Sequence, residues 1–191
     1  MNDPAQTADR GAAMAELPGD LRTWIGREHG PVRAPGPIEW SDVRRYVNAT
    51  GDRNPLWGAA DLEANPSRIG ALAPPGMILD VLRPEAGGDQ VTETGARPFP
   101  GIGGLSATIE VPGEVARLNA GTEVEWLRPL RIGDWIAVTF RITGIEMRTT
   151  ADGPAVFIVE ERRYVDQRGE PVAVARQTTV RRLSGPRSGA S

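Results

Sequence analysis

The C-terminal half of the chain alternates. From Trp135 to Ile145, Ile136, Val138, Phe140 and Ile142 fall on one side of an extended chain, with Thr139, Arg141 and Thr143 on the other. This period-two pattern predicts a half-buried strand. The turn Ala151-Asp-Gly-Pro154 leads to a second strand, Ala155 to Val165, and Gln167-Arg-Gly-Glu170 turns the chain into a third, Val172 to Arg182. Upstream, Gly121 to Trp126 runs into a further turn, Arg128-Pro-Leu-Arg-Ile-Gly-Asp134. Strands of this length joined by tight turns predict an antiparallel meander.

The N-terminal half has a different period. Val43, Tyr46 and Val47 form an apolar stripe opposite Arg44 and Arg45, which predicts a helix with Ser41 as N-cap, Asp42 in its first turn and Gly51 as a left-handed C-cap. A shorter face, Leu21, Trp24 and Ile25, predicts a helix over Leu21 to Gly26 capped by Asp20. Between the two, Gly30 to Pro37 is rich in breakers and reads as a connector, with His29 at its start as an exposed or partly packed loop residue. Asp61 to Asn65 reads as one more helical turn. Ala73-Pro-Pro-Gly-Met-Ile-Leu-Asp-Val-Leu82 places prolines just ahead of an apolar run, the pattern of a buried helix, which Pro84 ends. Residues 85 to 104 are rich in Gly and Pro without a clear period, and read either as a flap beside a ligand tunnel or as a plain connection. Residues 1–17 read as a mobile arm and 184–191 as a disordered tail, leaving one domain over 18–183. One buried helix followed by a meander is α+β, not doubly wound.

Composition narrows the chemistry. A chain of 191 residues suits one domain with a sizeable core, and a net charge of −3 gives no reason to expect nucleic-acid or anionic-membrane binding. All 22 basic residues are arginine, so a Schiff-base lysine and a P-loop lysine are excluded. With no cysteine and the single histidine His29, thiolate chemistry, disulfides and two-histidine metal motifs are excluded as well, and no metal is expected. No apolar run approaches the roughly 18–20 residues of a membrane span. The polar, acidic N-terminus has no signal-peptide core, so a cytoplasmic protein is expected.

The candidate chemistry lies in Tyr46-Val-Asn-Ala-Thr-Gly-Asp-Arg-Asn-Pro-Leu-Trp57, where Asp52 and Asn54 sit between Gly51 and Pro55. On the residues alone, such a pair after a C-cap glycine forms Asx-turns as readily as a site. The stretch resembles the signature of the MaoC-like hydratases and dehydratases, Tyr/Phe-x-x-x-Ser/Thr-Gly-Asp-x-Asn-Pro-Ile/Leu-His. Two later segments extend the resemblance. One is Ala73-Pro-Pro, where the catalytic type has Ala-His-Gly; the other is Leu118-Asn-Ala-Gly-Thr-Glu-x-Glu125 followed by Arg128-Pro-Leu-Arg-Ile-Gly-Asp134. Within the family the chain looks most like the N-terminal, A-type, FAS1-like dehydratase domains.

That resemblance implies a single hot-dog domain, an antiparallel sheet wrapped around a central hydrophobic helix. It implies pairing with a second hot-dog chain, sheets edge to edge and acyl tunnels at the pair interface. The implied reaction adds water across the 2,3-double bond of an enoyl thioester, or removes it from a 3-hydroxyacyl thioester. Asp52 would be the acid/base and Asn54 its orienting neighbour. The Gly76 amide would polarise the thioester carbonyl, with Pro75, Met77 and Trp57 beside the substrate. Arg128 and Arg131 would meet coenzyme A phosphates or stand as solvated turn arginines. No cofactor is implied beyond the coenzyme A or carrier-protein thioester of the substrate.

Trp57 departs from the signature, because indole is a donor only and cannot replace imidazole in proton transfer. The expectation is therefore a hydro-lyase subunit, the substrate-binding, histidine-lacking half of a heteromer with a catalytic MaoC-like partner. The alternatives are a non-enzymatic acyl-binding or assembly module that keeps only the fold, and an acyl-CoA thioesterase in which Asp52 activates water; Trp57 itself reads as a core or interface residue more readily than as a ligand contact.

Overall fold

The computed structural model describes residues 17–57, 71–82 and 104–184. Five antiparallel strands form one sheet: β1 (Glu28–Arg33), β2 (Glu114–Trp126), β3 (Ala137–Thr150), β4 (Gly153–Val165) and β5 (Pro171–Leu183). Their order across the sheet is β1-β3-β4-β5-β2, which leaves β1 and β2 as the two edges. One helix, α1 (Trp40–Thr50), and short 3₁₀ turns at Leu21–Trp24, Pro75–Asp80 and Leu105–Thr108 complete the described residues. This is the α+β hot-dog arrangement. None of the described helices is long and apolar enough to cross a membrane.

The meander forms as its alternation demands. Val138, Phe140 and Ile142 on β3 are buried in one core with Val156, Ile158 and Tyr164 of β4 and Ala173 and Ala175 of β5. Met77 and Ile78 of the Pro75–Asp80 turn pack into the same core, as do Leu105 and Ile109. The expected helix at Ala73–Leu82 is thus shorter and tighter. It is a six-residue 3₁₀ turn whose Met77 N–H donates to the Pro74 carbonyl at 3.1 Å. Pro75 stands at the first position of this turn, where a missing amide costs nothing, so the proline start is kept while the segment closes as 3₁₀.

Four further expectations are corrected. The connector at Gly30–Pro37 begins inside a strand, because β1 covers His29, Pro31 and Arg33 and pairs with β3. The N-cap of α1 is Glu39 rather than Ser41: Asp42 accepts the Glu39 N–H at 3.0 Å, and the two side chains form a reciprocal capping box. Asp20 caps nothing with its side chain, and the helix it precedes is a single 3₁₀ turn. Finally, β2 begins at Glu114, seven residues ahead of Gly121. The C-cap is as expected, Gly51 taking φ +66°. The turn expected at Asp61–Asn65, the segment 85–103, and all but the last residue of the arm and the first of the tail lie outside the described residues.

A buried polar network pins the Leu105–Thr108 turn to the sheet. Glu160 has no exposure; it accepts the Ser106 N–H at 2.6 Å and the Arg162 Nε–H at 2.7 Å. Arg181, equally buried, donates to the Ser106 carbonyl at 2.7 Å. Gly104 lies directly against the Glu160 carboxylate, and its φ of +64° and ψ of −166° belong to a region that only glycine occupies readily. Gly104→Ala is therefore expected to cost about 1–3 kcal/mol of stability, measured as a lowered urea midpoint at unchanged m-value.

Candidate active site

The corner is built by its own side chains. α1 ends at Gly51, and Asp52 is held against the last turn by its N–H donating to the Val47 carbonyl at 3.2 Å. Asp52 Oδ1 then accepts the Asn54 N–H at 3.0 Å, and Asn54 Oδ1 accepts the Leu56 N–H at 3.0 Å. These are two Asx-turns in tandem. The remaining Asp52 oxygen, Oδ2, accepts the indole Nε1–H of Trp57 at 2.9 Å. Asp52, Asn54 and Trp57 are all half-buried, and the Trp57 ring packs at the margin of the core with Tyr46 and Val47.

This geometry explains how a tryptophan fits where the signature has histidine. The five-membered ring of indole carries its N–H at the position that imidazole Nε2 takes in the matching ring orientation. Trp57 therefore makes the hydrogen bond to the aspartate that a histidine there could make. What is absent is a nitrogen lone pair, so no proton can be taken up at residue 57.

The second expected element lies across from α1. The Tyr46 hydroxyl abuts Gly76 so closely that a Cβ at that position would overlap it. A side chain there would displace the tyrosine, so glycine permits this close approach, and the first residue of the signature touches the Pro75–Asp80 turn. Pro75 is exposed, Gly76 half-buried and Met77 buried. Beyond this turn a small cleft opens between Leu79, Val81 and Leu82 on one side and Val138, Phe140, Arg162 and Tyr164 of the sheet on the other. Burial pushes the Tyr164 phenol above its ordinary value, against the opposing pull of Arg162, so the hydroxyl stays protonated.

The two expected phosphate arginines part company. Arg131 is exposed on the turn. Arg128 is enclosed by two carboxylates, with Nη1 on Asp134 Oδ2 at 3.1 Å and Nη2 on Asp166 Oδ2 at 2.8 Å. Asp134 Oδ2 also accepts the Arg131 N–H, and Asp166 Oδ1 accepts the N–H groups of Arg168 and Glu170 at 2.8 and 2.9 Å. The charge of Arg128 is spent locally, on tying the Arg128–Asp134 turn to the β4–β5 turn. A sequence reading could not foresee this, since Arg128 and Asp166 are 38 residues apart. Among the described residues no cluster of three or more His, Asp or Glu is placed to hold a metal.

Fold and corner together define a hot-dog domain of the hydratase and dehydratase type. The chain belongs to the MaoC-like hot-dog family, and the model described as "FAS1-like, dehydratase domain region" matches residues 23–175. It is similar to a protein of Thermomonospora curvata described as a "probable enoyl-CoA hydratase alpha subunit", with 31% identity over 166 residues that cover 84% of this chain and 50% of the relative. The chain thus spans about half the length of that relative. Among solved structures it resembles a chain of the ChsH1–ChsH2 complex from Mycobacterium tuberculosis, with a TM-score of 0.64 and 21% identity over 86% of this chain and 89% of that one. It also resembles the HadBC (3R)-hydroxyacyl-ACP dehydratase complex of the same organism, with a TM-score of 0.54 and 14% identity over 82% and 96% of the two chains.

One measurement isolates the Arg128 cluster. Burial alone would raise the Asp166 carboxyl; the Arg168 and Glu170 N–H groups and the Arg128 guanidinium outweigh it and hold the group below its ordinary 3.8. A value depressed by folding contributes stability above the unfolded pKa and loses it as pH falls through the folded one. Urea unfolding from about pH 5 down to about pH 2 is expected to show a steeper loss for the wild type than for Asp166→Asn, which carries no such titration.

Proposed function

We propose that this chain is the substrate-binding, histidine-lacking half of an (R)-specific enoyl-thioester hydratase or 3-hydroxyacyl-thioester dehydratase, working beside a catalytic MaoC-like partner. The observation that carries the reading is the indole of Trp57 on Asp52: the corner keeps the shape of an aspartate–imidazole pair and has no imidazole in it. Loss of a positioned general acid/base costs about 10²–10⁴-fold in rate, so efficient hydration needs an imidazole from elsewhere. A partner hot-dog domain with the complete Asp and His pair supplies it. In this chain the Gly76 amide, flanked by Pro75 and Met77, faces the thioester, and Arg131, on the exposed turn, is the arginine that meets coenzyme A phosphates.

The sheet edges support a two-chain assembly. β2 is 13 residues long, pairs among the described residues with β5 alone, and exposes Val115, Leu118 and Trp126. A long edge with exposed apolar side chains is a template for another strand. The solved relatives named above are two-component complexes, and the curated relative is described as an alpha subunit. The tandem Asx-turns favour one competing reading, an assembly module in which Asp52 serves folding alone.

Co-expression with a hot-dog chain that carries Gly-Asp-x-Asn-Pro-x-His, followed by an enoyl-CoA hydration assay, tests the proposal. The complex is expected to hydrate and the isolated chain to be at least about 10²-fold slower; equal rates would refute the division of labour. Trp57→His is expected to raise hydration by the isolated chain about ten-fold or more, by returning a base to the corner. An assembly module would gain nothing from that substitution.

A further inference from the structure

Trp126 belongs to two places at once. It is the last residue of β2, half exposed on the open edge, and its backbone pairs with that of Ala173, a core residue of β5. Paired residues of an antiparallel ladder share a face, so the indole leans over the inner side of the sheet. There its Nε1–H donates to the Pro75 carbonyl at 3.3 Å. That carbonyl and the Gly76 N–H are the two ends of one planar peptide unit. A donor that fixes the oxygen therefore also fixes the direction of the N–H. Tyr46 presses on the same glycine from α1, so the peptide is gripped by the edge strand and by the helix that leads into the Asp52 corner.

We infer that Trp126 is a positioning residue, through which docking of a partner chain on β2 sets the Pro75–Gly76 peptide. The inference rests on the two-chain reading above and adds the route by which assembly reaches the candidate site. While Trp126 is half exposed, water competes for both its N–H and the Pro75 oxygen, and the bond contributes little. Covering the edge excludes that water and strengthens the bond in a drier surrounding. The coupling is reciprocal: a bond that partner docking strengthens must itself strengthen docking by the same factor.

Hydrogen exchange over residues 71–82, with and without the catalytic hot-dog partner, tests the inference in the full-length chain. Partner binding is expected to slow exchange at Gly76 to Asp80 by about five-fold or more in the wild type. In Trp126→Phe most of that slowing is lost, and partner affinity falls by a similar factor. The assembled variant has a lower kcat for enoyl-CoA hydration at nearly unchanged KM. Replacement of Trp126 by benzothienylalanine, which keeps the bicyclic shape and lacks the N–H, is expected to behave like Trp126→Phe and separates the hydrogen bond from packing. Equal protection of 71–82 in the wild type and both variants would overturn the role of Trp126 while leaving hydration by the complex, and the reading above, intact. A wild-type chain that neither binds the partner nor supports hydration would sink both.

Discussion

A carboxylate with no access to water must be neutralised where it stands, and the way Glu160 is neutralised organises the inner face of the sheet. Its two oxygens are met by Arg162, two residues along the same strand, and by the Ser106 amide, 54 residues upstream. Arg162 also reaches Gln177 on β5 and lies over the Phe140 ring of β3. Arg181 closes the arrangement on the Ser106 carbonyl. Buried ion pairs of this kind add little net stability over a well-packed apolar core, yet removing one partner strands a charge at large cost. Here they tie the Leu105–Thr108 turn to β4 and β5 and bring the Phe140 ring of β3 into the same cluster. The inside of the sheet is consequently not uniformly apolar, and the cleft beside Leu79 has an arginine and a tyrosine in its wall.

The corner at Asp52 separates two properties that usually travel together. Shape is kept, because a five-membered ring with an N–H in the right place satisfies the carboxylate whether it is indole or imidazole. Proton exchange is lost, because only imidazole has the second nitrogen. A family member can therefore keep the fold of its site under the same packing constraints while the chemistry moves to another chain. Tyr46 against Gly76 adds a second packing contact, in which the glycine lets the hydroxyl come close to the Pro75–Asp80 turn.

How far the sequence could be read follows from which residues face the core. β4 and β5 were legible nearly end to end, since alternation and Gly-containing turns bound them. In β3 the alternation from Ile136 to Ile142 is plain, but the register shifts between Ile142 and Gly144. The buried set thereby moves to Ile145, and a strict period of two stops short of Thr150. The first half of β2 was illegible because an edge strand with both faces largely exposed has no apolar face to display. β1 was hidden behind Pro31, which reads as a breaker; an edge strand tolerates proline where no amide is needed. At the site, Asp52 and Asn54 were visible through the family signature. The bond from Trp57 closes within the same turn, five residues from Asp52, whereas the bond from Arg128 to Asp166 and the reach of Trp126 to Pro75 depend on tertiary placement that no local spacing records.

The two edges of the sheet are unequal, and this limits what the molecule can build. β1 has six residues, a register shift between His29 and Val32, and a proline in its middle. A neighbouring strand finds no continuous row of donors and acceptors there. Among the described residues the β2 side is the edge with a long ladder to offer. The register break and the proline keep β1 from offering the same template, which guards that flank against unspecific strand addition.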